Sequence, residues 1–129
     1  ACENPSKDLD PNFSILSGWQ YVHDDLYFEA YFAKDTCLIF TPIVFQLIDV
    51  SYDFNEASKY LIINKNNQPI LMGRLQIETD TGFHIRNEMD GELIVFRKIK
   101  GNYSVEDLQT LVKHLDALDA RELDFRQGN

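Results

Sequence analysis

The sequence predicts a mainly β protein: a small antiparallel meander β-barrel of seven or eight strands with one C-terminal α-helix packed on it. Short runs of alternating apolar and polar residues follow one another from Trp19 to Lys100. Turns of two to four polar residues separate these runs. Turns this short leave no room for a crossover helix, so consecutive strands pair antiparallel. A single amphipathic stretch follows the last run.

Eight runs carry the strand pattern. They span residues 19–23, 26–33, 36–41, 44–54, 59–64, 70–79, 83–87 and 92–100. The Asp-Gly pair at 90–91 is typical of a tight hairpin turn. Pro42 lacks the N–H that a ladder needs and predicts an edge, bend or bulge there. Closing such a sheet on itself removes the exposed edges that promote aggregation.

The C-terminal helix is predicted over residues 104–118. Ser104 can cap its N-terminus, and apolar residues recur at spacings of three and four. This stripe consists of Val105, Leu108, Leu111, Val112, Leu115 and Leu118. An isolated helix of this length is marginal in water, so the stripe is expected to dock on the barrel while the tail 121–129 frays. Residues 1–11 are interpreted as a tether and residues 12–129 as a single domain.

Composition and charge exclude several classes of function. The chain has 129 residues, 44% of them hydrophobic, and a formal net charge of −9. Nucleic-acid binders carry a basic stripe for phosphate contacts, so no nucleic-acid partner is expected. The four residues 97–100 include three cations, and we interpret them as a solvated strand end. No apolar run approaches the roughly 20 residues of a membrane-spanning helix.

The two cysteines lie in unequal contexts. Cys37 falls within an apolar strand and is expected to be a small buried side chain. Cys2 precedes a polar tail, and the pair Ala1-Cys2 resembles the start of a mature bacterial lipoprotein. That resemblance implies lipidation of Cys2 and attachment in the bacterial periplasm or at the outer membrane, with no other membrane contact. An incidental cysteine, or a disulfide between Cys2 and Cys37, remains an alternative.

No residue set in the sequence indicates catalysis. No phosphate-binding glycine loop, dinucleotide fingerprint or nucleophile motif is present. His23, His84 and His114 fall on a turn, a strand and the helix, without further ligands at metal-binding spacing. We therefore expect a non-enzymatic protein without a cofactor or metal. Three polar residues on one strand face (Asp49, Ser51 and Asp53) are interpreted as the outside of the sheet.

Two known folds resemble this order of elements. Asn12-Phe13, followed by Gly18-Trp19 at the first strand, resembles the start of lipocalins, in which an arginine at the end of the last strand packs across the tryptophan. The resemblance implies a lipocalin-like (calycin-type) barrel closed by Trp19 and Arg97. Alternatively, Trp19 is a core aromatic and Arg97 a surface charge. Pleckstrin-homology-like domains also end in a helix, but the acidic first turn here argues against phosphoinositide binding.

The aromatic residues provide the candidate binding site. Those expected to line the barrel interior are Trp19, Tyr27, Tyr31, Phe40, Tyr52, Tyr60, Phe83 and Phe96. An aromatic-lined interior binds small apolar ligands, although the same side chains also fill a closed core. We therefore expect a lipocalin-like binding protein of the cell envelope that holds a small hydrophobic ligand. The alternative is a structural or protein-interaction domain with a filled barrel and no ligand.

Overall fold

The computed structural model of the chain describes residues 13–100 and 108–128. Nine β-strands lie in the first of these ranges. They are β1 (Gly18–His23), β2 (Leu26–Ala33), β3 (Thr36–Thr41), β4 (Phe45–Gln46), β5 (Val50–Asn55), β6 (Tyr60–Lys65), β7 (Gln68–Thr79), β8 (Gly82–Arg86) and β9 (Leu93–Lys98). Nearly all of them coincide with a predicted run, because alternating burial fixes both their length and their register.

The strands form one curled antiparallel sheet in the order β4-β3-β2-β1-β9-β8-β7-β6-β5. The predicted meander is thus confirmed, and the first strand meets the last through a β1–β9 ladder. Among the described residues no ladder joins β5 to β3 or β4, so the sheet is a half-barrel with one seam. The hydroxyl of Tyr52 crosses this seam and donates to the carbonyl of Ala33 at 2.5 Å.

The strand count differs from the prediction because the run 44–54 is divided. Phe45 and Asp49 have positive φ values of 66° and 57°, which turn the backbone out of the extended conformation. The two-residue strand β4 and the six-residue strand β5 therefore lie at opposite ends of the sheet order. Phe45 is a bulky residue that rarely adopts positive φ, so no turn was predicted at that position, whereas Asp49 tolerates this conformation.

The C-terminal helical region extends further than predicted. It consists of α1 (Leu108–His114), a 3-10 turn (Leu115–Ala117) and α2 (Leu118–Gln127). The expectation that residues 121–129 fray is wrong for the described part, since α2 is helical and Phe125 is only 7% exposed. The predicted helix start at residues 104–107 lies outside the described residues. Leu111, Leu115 and Leu118 of the predicted stripe are buried, whereas Val112 is exposed.

The interior of the half-barrel is filled with side chains. Six rings stand in an aromatic column with neighbouring centroids 4.3–5.8 Å apart: Phe28, Tyr21, Phe96, Phe83, Trp19 and Phe13. Trp19, Phe83 and Phe96 are completely buried. Aliphatic residues from the facing strands pack around this column, and Cys37 is a buried free thiol among them, as expected.

A second cluster lies on the outer face of the sheet, beneath the helices. This helix-side cluster consists of Tyr27, Tyr31, Phe40, Ile99, Leu111, Leu115, Leu118 and Phe125. Because successive side chains of a strand point to opposite faces, β2 contributes to both clusters. Ala30 and Phe32 lie inside the half-barrel, while Tyr27 and Tyr31 lie under the helices.

Candidate functional site

The eight aromatic residues expected inside the barrel are distributed over both faces of the sheet. Trp19, Tyr52, Phe83 and Phe96 belong to the interior. Tyr27, Tyr31 and Phe40 lie in the helix-side cluster. Tyr60 is on the outer face, where its hydroxyl donates to Glu88 at 2.7 Å. The structure thus brings four of the eight together, and those four contribute to a packed core.

Trp19 and Arg97 do not form the expected barrel-closing pair. The Cα partner of Arg97 across the β1–β9 ladder is Gln20, so Arg97 shares the outer face with Gln20 rather than the inner face with Trp19. The indole Nε1–H of Trp19 donates instead to the carbonyl of Ile15 at 3.0 Å. The Arg97 guanidinium carbon lies 5.8 Å from the centroid of the Phe125 ring, a cation–π contact with α2.

A completely buried carboxylate lies beneath the helices. Glu29 on β2 accepts hydrogen bonds from the hydroxyls of Tyr27 (2.6 Å) and Tyr31 (2.8 Å). Arg121 of α2 binds the same carboxylate in a bidentate manner, with Nε–Oε2 and Nη2–Oε1 distances of 2.7 and 2.9 Å. Its Nη1 also donates to the carbonyl of His114 at 2.7 Å. This network joins the strand to the helix.

The buried network shifts the pKa values of its members. Burial, and secondly the charge of Glu29, raise the pKa of Tyr27 well above the ordinary phenol value. Burial alone would lower the pKa of Arg121, but hydrogen bonding to Glu29 and its charge raise it. Tyr27 and Arg121 therefore keep their protons throughout the physiological range.

A groove with a volume of about 750 Å³ lies beside this network, between the outer face of β9 and α2. Its walls are formed by Gln20, Thr81, Arg97, Lys98, Ile99, Lys100, Arg121, Asp124, Phe125 and Gly128. Ile99 and Phe125 are buried and give the groove an apolar floor, whereas Arg97, Lys98 and Lys100 are exposed at its rim.

The rim of the groove is cationic. No carboxylate of the described residues lies within 4 Å of the charged groups of Arg97, Lys98 or Lys100. Asp124 is the one acidic residue among the described residues that form the walls, and Arg121 is already paired with Glu29. An apolar floor beneath a rim of cations matches a ligand with an apolar body and an anionic group.

Comparisons with protein-family models, curated protein sequences and solved structures find no match to this chain. In the part of the chain that the structure describes, neither helix is long and apolar enough to cross a membrane.

Sequence reasoning missed the two residues that organise this site. Glu29 stands in the middle of the apolar run 26–33, and a charge at such a position signals a buried partner. Arg121 falls in the segment expected to fray and lies 92 residues away from Glu29 in the chain. The cations at 97–100 were interpreted as a solvated strand end, yet they form the rim of the groove.

Proposed function

We propose that the protein is a non-enzymatic binding module of the bacterial cell envelope that holds a small amphipathic anion in the groove between β9 and α2. The observation that carries the proposal is the cationic rim over an apolar floor, in a chain with a net charge of −9. The aromatic column occupies the interior, which a lipocalin would use for its ligand, so the binding surface is placed outside the barrel.

The lipocalin resemblance retains some support. The sheet follows nearest-neighbour order, its first strand pairs with its last, and a helical segment follows the last strand. Trp19 stands at the start of the first strand, as the resemblance requires.

Lipidation of Cys2, which lies outside the described residues, would place the module at a membrane surface. Intact mass of the protein from its native host tests this part of the proposal, and an unmodified N-terminus would contradict it.

Titration calorimetry with a matched pair of amphiphiles tests the groove. We expect dodecanoate to bind and dodecyltrimethylammonium, which has the same chain length and opposite charge, not to bind below its micelle concentration. Replacing two rim cations, Arg97→Gln with Lys100→Gln, should weaken dodecanoate binding about tenfold, or about 1.4 kcal/mol. The control replaces Arg74 and Lys113, two exposed cations outside the groove, and should leave the affinity unchanged.

A second candidate function, a protein-interaction domain, is favoured by an exposed apolar segment at the β4 edge. Ile43 and Ile48 are 71% and 66% exposed, and Val44 and Phe45 lie between them with about half their surface in solvent. Exposed apolar patches at a sheet edge mark contact surfaces. The double variant Ile43→Ser, Ile48→Ser tests this function through co-purification of a partner from the native host. If the variant loses the partner and neither amphiphile binds the parent chain, the interaction function replaces the ligand-binding one.

A further inference from the structure

Three potential metal ligands converge at the end of the barrel where the β1–β2 and β8–β9 turns meet. The His23 Nε2 atom lies 2.8 Å from the Asp90 Oδ2 atom and 3.7 Å from the Glu92 Oε1 atom. All three ligand atoms lie within 4.8 Å of one another. Sequence spacing alone could not indicate this cluster, because the histidine and the acids are almost 70 residues apart.

The spacing of these atoms suits a four-coordinate ion. Zinc holds imidazole nitrogen and carboxylate oxygen at about 2.0–2.2 Å, which separates its ligand atoms by roughly 3.3–3.6 Å in a tetrahedron. The two distances from His23 Nε2 bracket that value. Calcium and magnesium prefer all-oxygen sites, whereas an imidazole with two carboxylates suits zinc.

The surrounding backbone holds the three side chains in place. The Asp90 Oδ1 atom accepts from the amide of Glu92 at 2.9 Å, and Glu92 Oε1 accepts from the amide of Asp24 at 3.3 Å. Asn87 is completely buried and accepts from the amides of Met72 and Met89, which fixes the backbone just before Asp90. A ligand set oriented before binding loses little side-chain entropy when the ion arrives.

We propose that His23, Asp90 and Glu92 bind a divalent zinc ion that joins the β1–β2 turn to the β8–β9 turn. Two carboxylates held this close repel each other in an acidic chain, and a divalent cation offsets that repulsion. Three protein ligands leave the fourth position of a tetrahedral ion open to water or to an external ligand. A pocket of about 190 Å³ with mostly apolar walls, including His23, Leu26 and Phe28, lies next to the site.

Titration calorimetry with zinc chloride tests this site in a Cys2→Ser background, which removes the N-terminal thiol. We expect one zinc ion per chain and at least about tenfold weaker binding in the His23→Asn and Asp90→Asn variants. The His84→Asn variant is the matched control, because His84 pairs with Glu78 at 2.8 Å and no other carboxylate of residues 13–100 or 108–128 lies within 4 Å of its ring nitrogens. Unchanged zinc affinity in His23→Asn, or an equal loss in His84→Asn, would overturn the proposal.

Cobalt(II) provides a second test that needs no substitution at the site. We expect the paramagnetic ion to broaden the amide resonances of Asp24 and of residues 89–92 first. Broadening centred on any other part of the chain contradicts the assignment. This test remains valid if the histidine variants do not fold.

Discussion

Glu29 is the residue that links the C-terminal helices to the sheet. Its side chain is completely buried, while that of its partner Arg121 is 18% exposed. A buried ion pair gains little over a well-packed apolar pair, but removing one partner leaves the other charge without compensation. Loss of the Glu29 carboxylate would also remove the acceptor of two tyrosine hydroxyls.

Replacing Glu29 by glutamine is expected to lower the free energy of unfolding by about 3–5 kcal/mol, because the Arg121 charge then stays buried without a counter-charge. Urea unfolding followed by circular dichroism measures the effect. Glu78→Gln removes an exposed carboxylate and serves as the control, with an expected loss of at most about 1 kcal/mol. Equal losses in the two variants would show that the buried pair does not stabilise the fold.

His114 makes the stability of the helical region depend on pH. Burial lowers the pKa of His114 below the ordinary value of 6.5, Arg121 lowers it further, and Glu29 opposes the shift. The unfolded chain therefore takes up this proton first as the pH falls. The free energy of unfolding should decrease below about pH 6.5 and level off below the folded-state pKa.

Urea unfolding at a series of pH values measures this dependence in the parent chain and in His114→Gln. The other two histidines contribute equally to both proteins, so the difference between the curves reports His114 alone. The range from pH 7 to pH 5 spans the ordinary imidazole pKa. If the free energy of unfolding changes equally in both proteins over this range, His114 does not cause the pH dependence.

At the scale of elements, β7 shows how the half-barrel curves. Its first half pairs with β6 and its second half with β8, and the partner changes between Arg74 and Leu75, just after Gly73. A Cβ atom at this position would lie 2.5 Å from the carbonyl oxygen of Arg86 and 2.9 Å from a side-chain carbon of Ile85. The close approach of two backbones at a bend requires glycine here.

Gly73→Ala is expected to destabilise the protein by about 1–3 kcal/mol, since the backbone of β8 must move away from the added methyl group. The free energy of unfolding in urea measures this loss. Gly82→Ala on the neighbouring strand is the control, because its Cβ would meet its nearest atom at 3.7 Å, an ordinary contact distance. A neutral Gly73→Ala combined with a destabilising Gly82→Ala would refute this account of the bend.

The elements differ in how far the sequence predicts them. Alternation and turn residues predicted the hairpins, because both signals are local. The separation of β4 from β5 was missed, since it depends on a positive φ at Phe45, a residue type that rarely adopts this conformation. The helical conformation of α2 was not predicted. The contact between Arg121 and Glu29 holds this helix on the sheet, and the two residues are distant in the chain.

The site was predicted less well than the fold, because the alternation of a strand does not show which of its two faces points into the half-barrel. Tyr27 and Tyr31 have the aromatic character of interior residues, but a one-residue change of register exchanges the two faces of a strand. Only the packing of neighbouring strands places them under the helices. The groove combines β9 with α2, so no local sequence pattern contains it.

At the scale of the whole molecule, charge and packing are unevenly distributed. The chain is acidic as a whole, yet three cations without a carboxylate partner among the described residues surround the groove. The interior holds a continuous aromatic column, and the ring of Trp19 lies in contact with Phe83 at a centroid distance of 4.8 Å. A small ligand that binds on the outer face leaves this column undisturbed.

Mapping of amide chemical shifts during titration with dodecanoate tests the central claim most directly. We predict that the largest shifts occur at Gln20, Thr81, Arg97 and Phe125, which line the groove, while the indole N–H resonance of Trp19 stays in place. Shifts concentrated on Trp19 and its neighbours inside the half-barrel, with the groove resonances unchanged, would contradict the account.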